Sequence, residues 1–174
     1  FQNLTGIQIG GIGNGLPDDE RAGQYTVKGI QIAGIFNFTN DTVKGMQIAG
    51  LGNTANNLSG IQIGGFSNSV HDDATGIQIA LFGNSVGGEM KGIQIGAFNN
   101  AFAYGGVRLS NKVSVSGIQI GVFNYAVNMS GVQTGAFNYA ENVTGIQIGL
   151  LNECKTLKGI QIGLINHIEQ GRFP

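Results

Sequence analysis

The ten residues Gly117-Ile-Gln-Ile-Gly-Val-Phe-Asn-Tyr-Ala126 recur fourteen positions on as Gly131-Val-Gln-Thr-Gly-Ala-Phe-Asn-Tyr-Ala140. The opening tetrad then returns at Gly145 and Gly159. Along the whole chain, Gly-Ile-Gln-Ile or a close variant begins at Gly6, Gly29, Gly45, Gly60, Gly76, Gly92, Gly117, Gly131, Gly145 and Gly159. The last three spacings are equal, which sets a 14-residue base unit. Every other spacing is longer, and the additions fall in the second half of the unit.

With the leading glycine as position 0, the columns are narrow. Position +2 is Gln in every copy: Gln8, Gln31, Gln47, Gln62, Gln78, Gln94, Gln119, Gln133, Gln147 and Gln161. Positions +1 and +3 are Ile except at Met46, Val132 and Thr134, and +4 is Gly or Ala. Position +6 is Ile, Leu or Phe, and an Asn follows it at +7 or +8. Position −2 is apolar and −1 is Thr, Ser or Lys. Alternation with period two and β-branched residues at the apolar sites predict a short strand. Small residues at 0 and +4 bracket it, and the Asn suits a turn or αL position. A unit this short has no room for a βαβ crossover.

Near-identical tandem units need a geometry that gives each copy the same surroundings. The expected fold is therefore all-β, one repeat domain over 1–174, a parallel β-solenoid of about ten coils on the 14-residue base repeat. Stacking at ~4.8 Å predicts a rod roughly 48 Å long. The expected arrangement turns −2, +1, +3 and +6 inward as apolar ladders. It turns Gln at +2 outward, amide stacked on amide. Cys154 shares position +9 with Ala101, Ala126 and Ala140 and reads as a small filler.

Composition agrees with a repeat and excludes much else. Among 174 residues there are 31 glycines, 21 isoleucines, 18 asparagines and 13 glutamines, with only 11% charged. A hydrophobic content of 41% argues against disorder, and glycine does not follow the collagen period. A net charge of −1 gives no electrostatic footprint for nucleic acid or for an anionic membrane surface. One cysteine rules out an internal disulfide or a cysteine zinc cluster. No apolar run approaches a membrane helix. Opening at Phe1, without an initiator Met or a signal peptide, the sequence reads as a mature or trimmed product.

The runs from Gly117 to Ala126 and from Gly145 to Asn152 resemble the repeats of bacterial surface-repeat proteins, the group named from Leptospira. Their signature is a tandem G-[IL]-Q-[IL]-G-L-[FV]-N. The closing Gly159-Ile-Gln-Ile-Gly-Leu-Ile-Asn166, followed by Gly171-Arg-Phe-Pro174, is similar to how such proteins approach their C-terminus. The resemblance covers nearly the whole chain and implies an exported or surface-associated bacterial protein. It carries no catalytic residue over. The first half departs from the pattern, with Gly or Ser often at +7 and longer loops between tetrads.

Candidate sites are confined to the insertions, since loops on a rigid scaffold carry binding. The long ones lie near 15–25, with Asp18, Asp19, Glu20 and Arg21, and near 103–113, with Tyr104, Arg108 and Lys112. Shorter ones carry Asp41, His71, Asp72 and Asp73. All enter at one repeat position, so one loop-lined edge is expected, facing a protein or glycan. The acids lack any Ca²⁺-loop spacing and read as solvated. His71 and His167 lie six coils apart, too far to share a metal. Gly10-Gly11-Ile12-Gly13-Asn14-Gly15 lacks the order and the following helix of a dinucleotide loop. The sequons at Asn3, Asn57, Asn128 and Asn142 are by-products of the repeat columns. No nucleophile, acid–base pair or cofactor motif assembles, so no cofactor, no metal and a non-enzymatic role are expected.

Several functions stay open from sequence. The first is an exported rod presenting its loop edge to a partner. The second is a filament subunit, because solenoid ends expose strand edges and no capping helix is visible. The third is a membrane-associated sheet or barrel with Ile facing lipid, for which the alternating stretch is short against ~10-residue barrel strands. An ice-binding face is a fourth, disfavoured by the lysines at −1. The direction of Gln at +2 decides most: outward means a dry apolar core, inward an apolar exterior.

Overall fold

The computed structural model describes residues 3–15, 26–101 and 113–170, and within them the chain is a parallel β-solenoid of stacked coils. Each coil runs a forward strand from −2 to +4, turns a first corner, returns along a strand opened by the Asn column, and turns a second corner. Forward strands are β1 (Leu4–Gly10), β3 (Thr26–Ala33), β7 (Ala74–Ala80), β9 (Glu89–Ile95) and β11 (Ser114–Ile120). Return strands are β2 (Gly13–Gly15), β6 (Ser67–Val70), β8 (Gly83–Val86) and β10 (Phe98–Ala101). In β4 (Phe36–Ala49), β5 (Gly52–Gly64), β12 (Phe123–Thr134) and β13 (Phe137–Ile168) the pairing continues from return strand round into the next forward strand.

Register follows the repeat. Gly6 pairs with Gly29, Gly29 with Gly45, and Gln8 with Gln31, all in parallel. The same holds from Gly117 to Gly131 to Gly145. The Asn column stacks likewise, Asn84 on Asn99 on Asn124 on Asn138, although Asn84 stands at +8 and Asn99 at +7. The extra residue is absorbed in the first corner.

The strand alternates without a break from −2 to +4, which sets what faces inward. Positions −2, +2 and +4 share the inner face; −1, +1 and +3 share the outer one. Val27, Gln31 and Ala33 of β3 are buried, while Lys28 and Ile32 are exposed. This reverses the expected orientation. Gln31, Gln47, Gln62, Gln78, Gln94, Gln119, Gln133 and Gln147 are each 0% exposed. The isoleucines of +1 and +3 lie outside, half-buried only by their neighbours along the stack. Side chains of the +6 column also face out, as Phe66, Phe82 and Ile165 show. Of the four columns expected to point inward, only −2 does so.

The interior has two layers. Toward the second corner, the −2 column (Val27, Val43, Leu58, Met90, Val115) packs on Ala55, Val70, Val86, Ala101, Ala126 and Ala140 of the return strands. Cys154 completes this second column, fully buried, the small filler its position predicts. Toward the first corner lie the amides of Gln and Asn. The Asn residues are not αL turns: no described non-glycine residue has a positive φ.

The glycine at 0 sits in mid-strand, with φ between +126° and +153° at all ten positions. A Cβ on Gly92 would lie 1.9 Å from the Gly76 carbonyl oxygen of the coil below. The column is glycine because each copy passes over the backbone of the last, in a conformation L side chains avoid.

Candidate functional site

The amide ladders are the chemistry this interior contains. Each Gln donates from Nε2 to the Oε1 of the Gln one coil before it. The distance is 2.9 Å from Gln94 to Gln78, 2.8 Å from Gln119 to Gln94 and 2.8 Å from Gln133 to Gln119. The Asn ladder runs the other way. Asn99 Nδ2 donates to Asn124 Oδ1 at 2.9 Å, and Asn124 Nδ2 to Asn138 Oδ1 at 2.8 Å. Each Asn also donates to the +3 carbonyl of the following coil, as Asn37 does to Ile48 O at 2.8 Å and Asn138 to Ile148 O at 2.9 Å. Burying a primary amide is costly unless it is bonded, and here the next copy supplies the partners.

Two antiparallel chains of donors leave the two ends unlike. At the C-terminal end Gln161 Oε1 is buried and accepts no hydrogen bond among the described residues. Asn166 Nδ2, which in earlier coils would reach both a carbonyl and an Asn, has only Gly163 O at 3.5 Å among them. At the N-terminal end Gln8 accepts from Gln31, and Asn14 donates to Asn37 and Ile32 O. Gln8 Nε2 and Asn14 Oδ1 are the atoms those bonds leave over.

The exterior is polarised across the coil. Every described side chain of the first corner is apolar or absent except Ser67, from Gly10 to Ile165. Leu81 is 81% exposed and Leu164 83%. Phe66, Phe82, Phe98, Phe123 and Phe137 form a ladder beside it, with ring centroids 4.8–4.9 Å apart. Corner backbone groups bond from coil to coil: Phe82 N to Phe66 O at 2.9 Å, Val122 N to Ala97 O at 2.9 Å, Leu150 N to Ala136 O at 3.0 Å.

The second corner is polar, and there the described insertions do gather. Asp41, His71, Asp72 and Asp73 all lie on it. His71 N donates to Ala55 O and Asp72 N to Asn56 O, so the insertions themselves stack. Asp73 accepts from Glu89 N at 2.7 Å. Lys91 pairs with Glu89 at 2.9 Å and Lys155 with Glu141 at 3.4 Å; the hydrogen bond to each acid raises the lysine pKa. Asp18, Asp19, Glu20, Arg21, Tyr104, Arg108 and Lys112 lie outside the described residues. Their segments attach to this same corner, between Gly15 and Thr26 and between Ala101 and Val113.

Among the described residues no three His, Cys, Asp or Glu side chains are placed to share a metal ion. Among the described residues, the open groove bounded by Asn142, Thr144, Thr156, Lys158 and Gln170 has no carboxylate in its lining. Burial pushes the Cys154 thiol above its ordinary pKa, which keeps it in the unreactive protonated form. The residues that sequence reading passes over are the outward Phe ladder and the first corner. Alternation counted from −2 is the signal that finds them. Compared with family models, with curated proteins and with solved structures, the chain matches none.

Proposed function

We propose that the chain is a non-enzymatic structural protein that assembles head to tail into a filament, its ten coils on a 14-residue base repeat continuing from one copy into the next. The observation that carries this reading is the complementarity of the end coils. Among the described residues Gln161 Oε1 lacks a donor, and Gln8 Nε2 is the ladder donor with no Gln before it. Asn166 Nδ2 lacks the carbonyl and the amide oxygen that Ile9 and Asn14 of another copy would present in register. A joined pair of ends restores, in kind and direction, the bonds found between successive described coils. It also covers the strand edges that a solenoid end leaves open.

Electron microscopy at micromolar concentration tests this. Filaments with a subunit rise of roughly 48 Å and a ~4.8 Å axial reflection are expected. Gln161→Lys, which sets a donor against Gln8 Nε2, should leave folded short rods only. Wild-type protein that stays as discrete rods overturns the proposal.

A second reading is supported by the polar corner, where Asp41, His71, Asp72 and Asp73 fall together with the attachment points of both long insertions. In it the same rod is an exported or cell-surface bacterial protein that offers this edge to a protein or glycan. Replacing both long insertions by plain 14-residue coils should abolish capture of such a partner and spare filament formation.

A further inference from the structure

From the first corner and its two flanks, we infer that this edge docks into the surface of an anionic lipid bilayer, with the rod lying in the membrane plane. The polar and apolar sides of the coil are separated along lines parallel to the rod axis. An edge-on orientation is the one that immerses the first corner while the acids of the second corner stay in water. A rod standing upright in the membrane would drag Asp72, Asp73 and Glu141 through hydrocarbon.

Three features favour lipid over a protein partner. The apolar surface is convex: it covers the +3 column on one flank, turns the corner at Leu81, Val122, Leu150 and Leu164, and continues onto the Phe ladder. A fluid conforms to such a wedge, whereas one flat protein face reaches only one flank. The corner is also irregular backbone, most of whose amides bond from coil to coil and whose +3 carbonyls are met from inside by Asn Nδ2. Exposed loops are normally shut out of hydrocarbon because their polar backbone goes unmet, and this one meets most of it internally.

The third feature is charge. On the outer face of the forward strand, positions −1, +1 and +3 carry Lys28, Lys44, Lys91 and Lys158 and no acid. Lys91 is held by Glu89 at −3, but Lys28, Lys44 and Lys158 make no ion pair among the described residues. They stand about 20 Å along the strand from the corner tip, far enough to lie at headgroup level when the corner is immersed. A second copy of this face brings them no carboxylate but Glu89, which Lys91 already holds, whereas an anionic headgroup layer brings negative charge to all three.

The test is flotation of the protein with vesicles of phosphatidylcholine, either alone or mixed two to one with phosphatidylglycerol. Binding to the anionic vesicles that weakens with salt is expected. Leu81→Glu with Leu150→Glu and Leu164→Glu should abolish it with the circular dichroism spectrum unchanged, since these side chains already face solvent. Lys28→Gln with Lys44→Gln and Lys158→Gln should weaken it, by up to about a hundredfold at roughly fivefold per lysine, on the anionic vesicles alone. Wild-type protein left in the lipid-free fraction overturns the inference. So does a rod dimer, seen by sedimentation, that the three glutamates dissolve without any effect on vesicle binding. Filament formation is scored separately by microscopy, so either result stands without the other.

Discussion

Gln94→Glu turns the inward direction of the Gln column into a pH titration. In the folded chain Gln94 is 0% exposed; it donates to Gln78 Oε1 at 2.9 Å and accepts from Gln119 Nε2 at 2.8 Å. A protonated glutamic acid reproduces both bonds, its hydroxyl donating to Gln78 and its carbonyl oxygen accepting from Gln119. An ionised carboxylate keeps only the second and sets its other oxygen against the Gln78 acceptor, away from water. The fold therefore favours the neutral form and raises the folded pKa above the unfolded value near 4.3. A group with a raised folded pKa has its full stability below the unfolded pKa and loses it as pH rises toward the folded one.

If the folded pKa exceeds 7, the 2.7 pH units between 4.3 and 7 cost about 3.7 kcal/mol, at roughly 1.36 kcal/mol per unit. That is a large share of the ~5–15 kcal/mol a domain has. Urea midpoints from pH 4 to pH 8, each referred to wild type, measure it. Near-wild-type stability at pH 4, falling steadily to pH 7, is expected. Ser116→Glu, on the outer face at −1, should show no such fall. A flat Gln94→Glu profile parallel to the Ser116→Glu one would mean that the amide is solvated, and the two-layer interior would be wrong.

The column glycines give a sharper steric contrast. Gly92→Ala, with its Cβ 1.9 Å from the Gly76 carbonyl oxygen and φ at +135°, should cost more than about 4 kcal/mol or prevent folding. Gly11→Ala, with no atom within 4 Å, should change the melting temperature little. Phe123→Ala removes stacking on Phe98 and Phe137, at 4.9 and 4.8 Å, and should destabilise by about 1–3 kcal/mol in urea titration. Phe123→Leu should keep part of that through area alone. Cys154 should resist a disulfide-exchange reagent in the native state and react at once in denaturant. Because burial raises its pKa, the stability it contributes is complete below the ordinary thiol range near 8.5 and is lost as pH climbs through the folded value.

What sequence makes legible, and what it does not, both come from the same columns. Tandem copies of a short unit built on an alternating tetrad leave few folds, and the stacked parallel coils agree with that reading. The single-face placement of the small insertions at Asp41 and His71–Asp73 is likewise readable, because all enter at one repeat position. The face each strand buries is the reverse of the expected one, although the columns hold the information. Hydrophobicity alone sends Ile in and Gln out. Alternation forbids that once −2 is apolar in every copy: −2 and +2 are an even number of positions apart and must share a face, while +1 and +3 share theirs with the lysines at −1.

A column that is lysine in four of its ten copies and an isoleucine column on one face cannot both be core, so the face with lysine is the outside. What overrides hydrophobicity is translational symmetry. A Gln buried once must find partners among unlike neighbours, and it usually fails. A Gln buried in register with its own copies always finds one donor on one side and one acceptor on the other, at a cost in burial that the ladder offsets coil by coil. The same argument explains why Asn reads as a turn residue and is not. Taken one copy at a time, Asn after an apolar run signals αL; taken along the stack, it is the second amide of the interior, bonded to the carbonyls of the corner it is expected to make. The exterior then inherits the isoleucine and phenylalanine that the interior does not take. That leaves a rod with one amide layer and one apolar layer inside, whose open apolar surface at the first corner is a consequence of the same register.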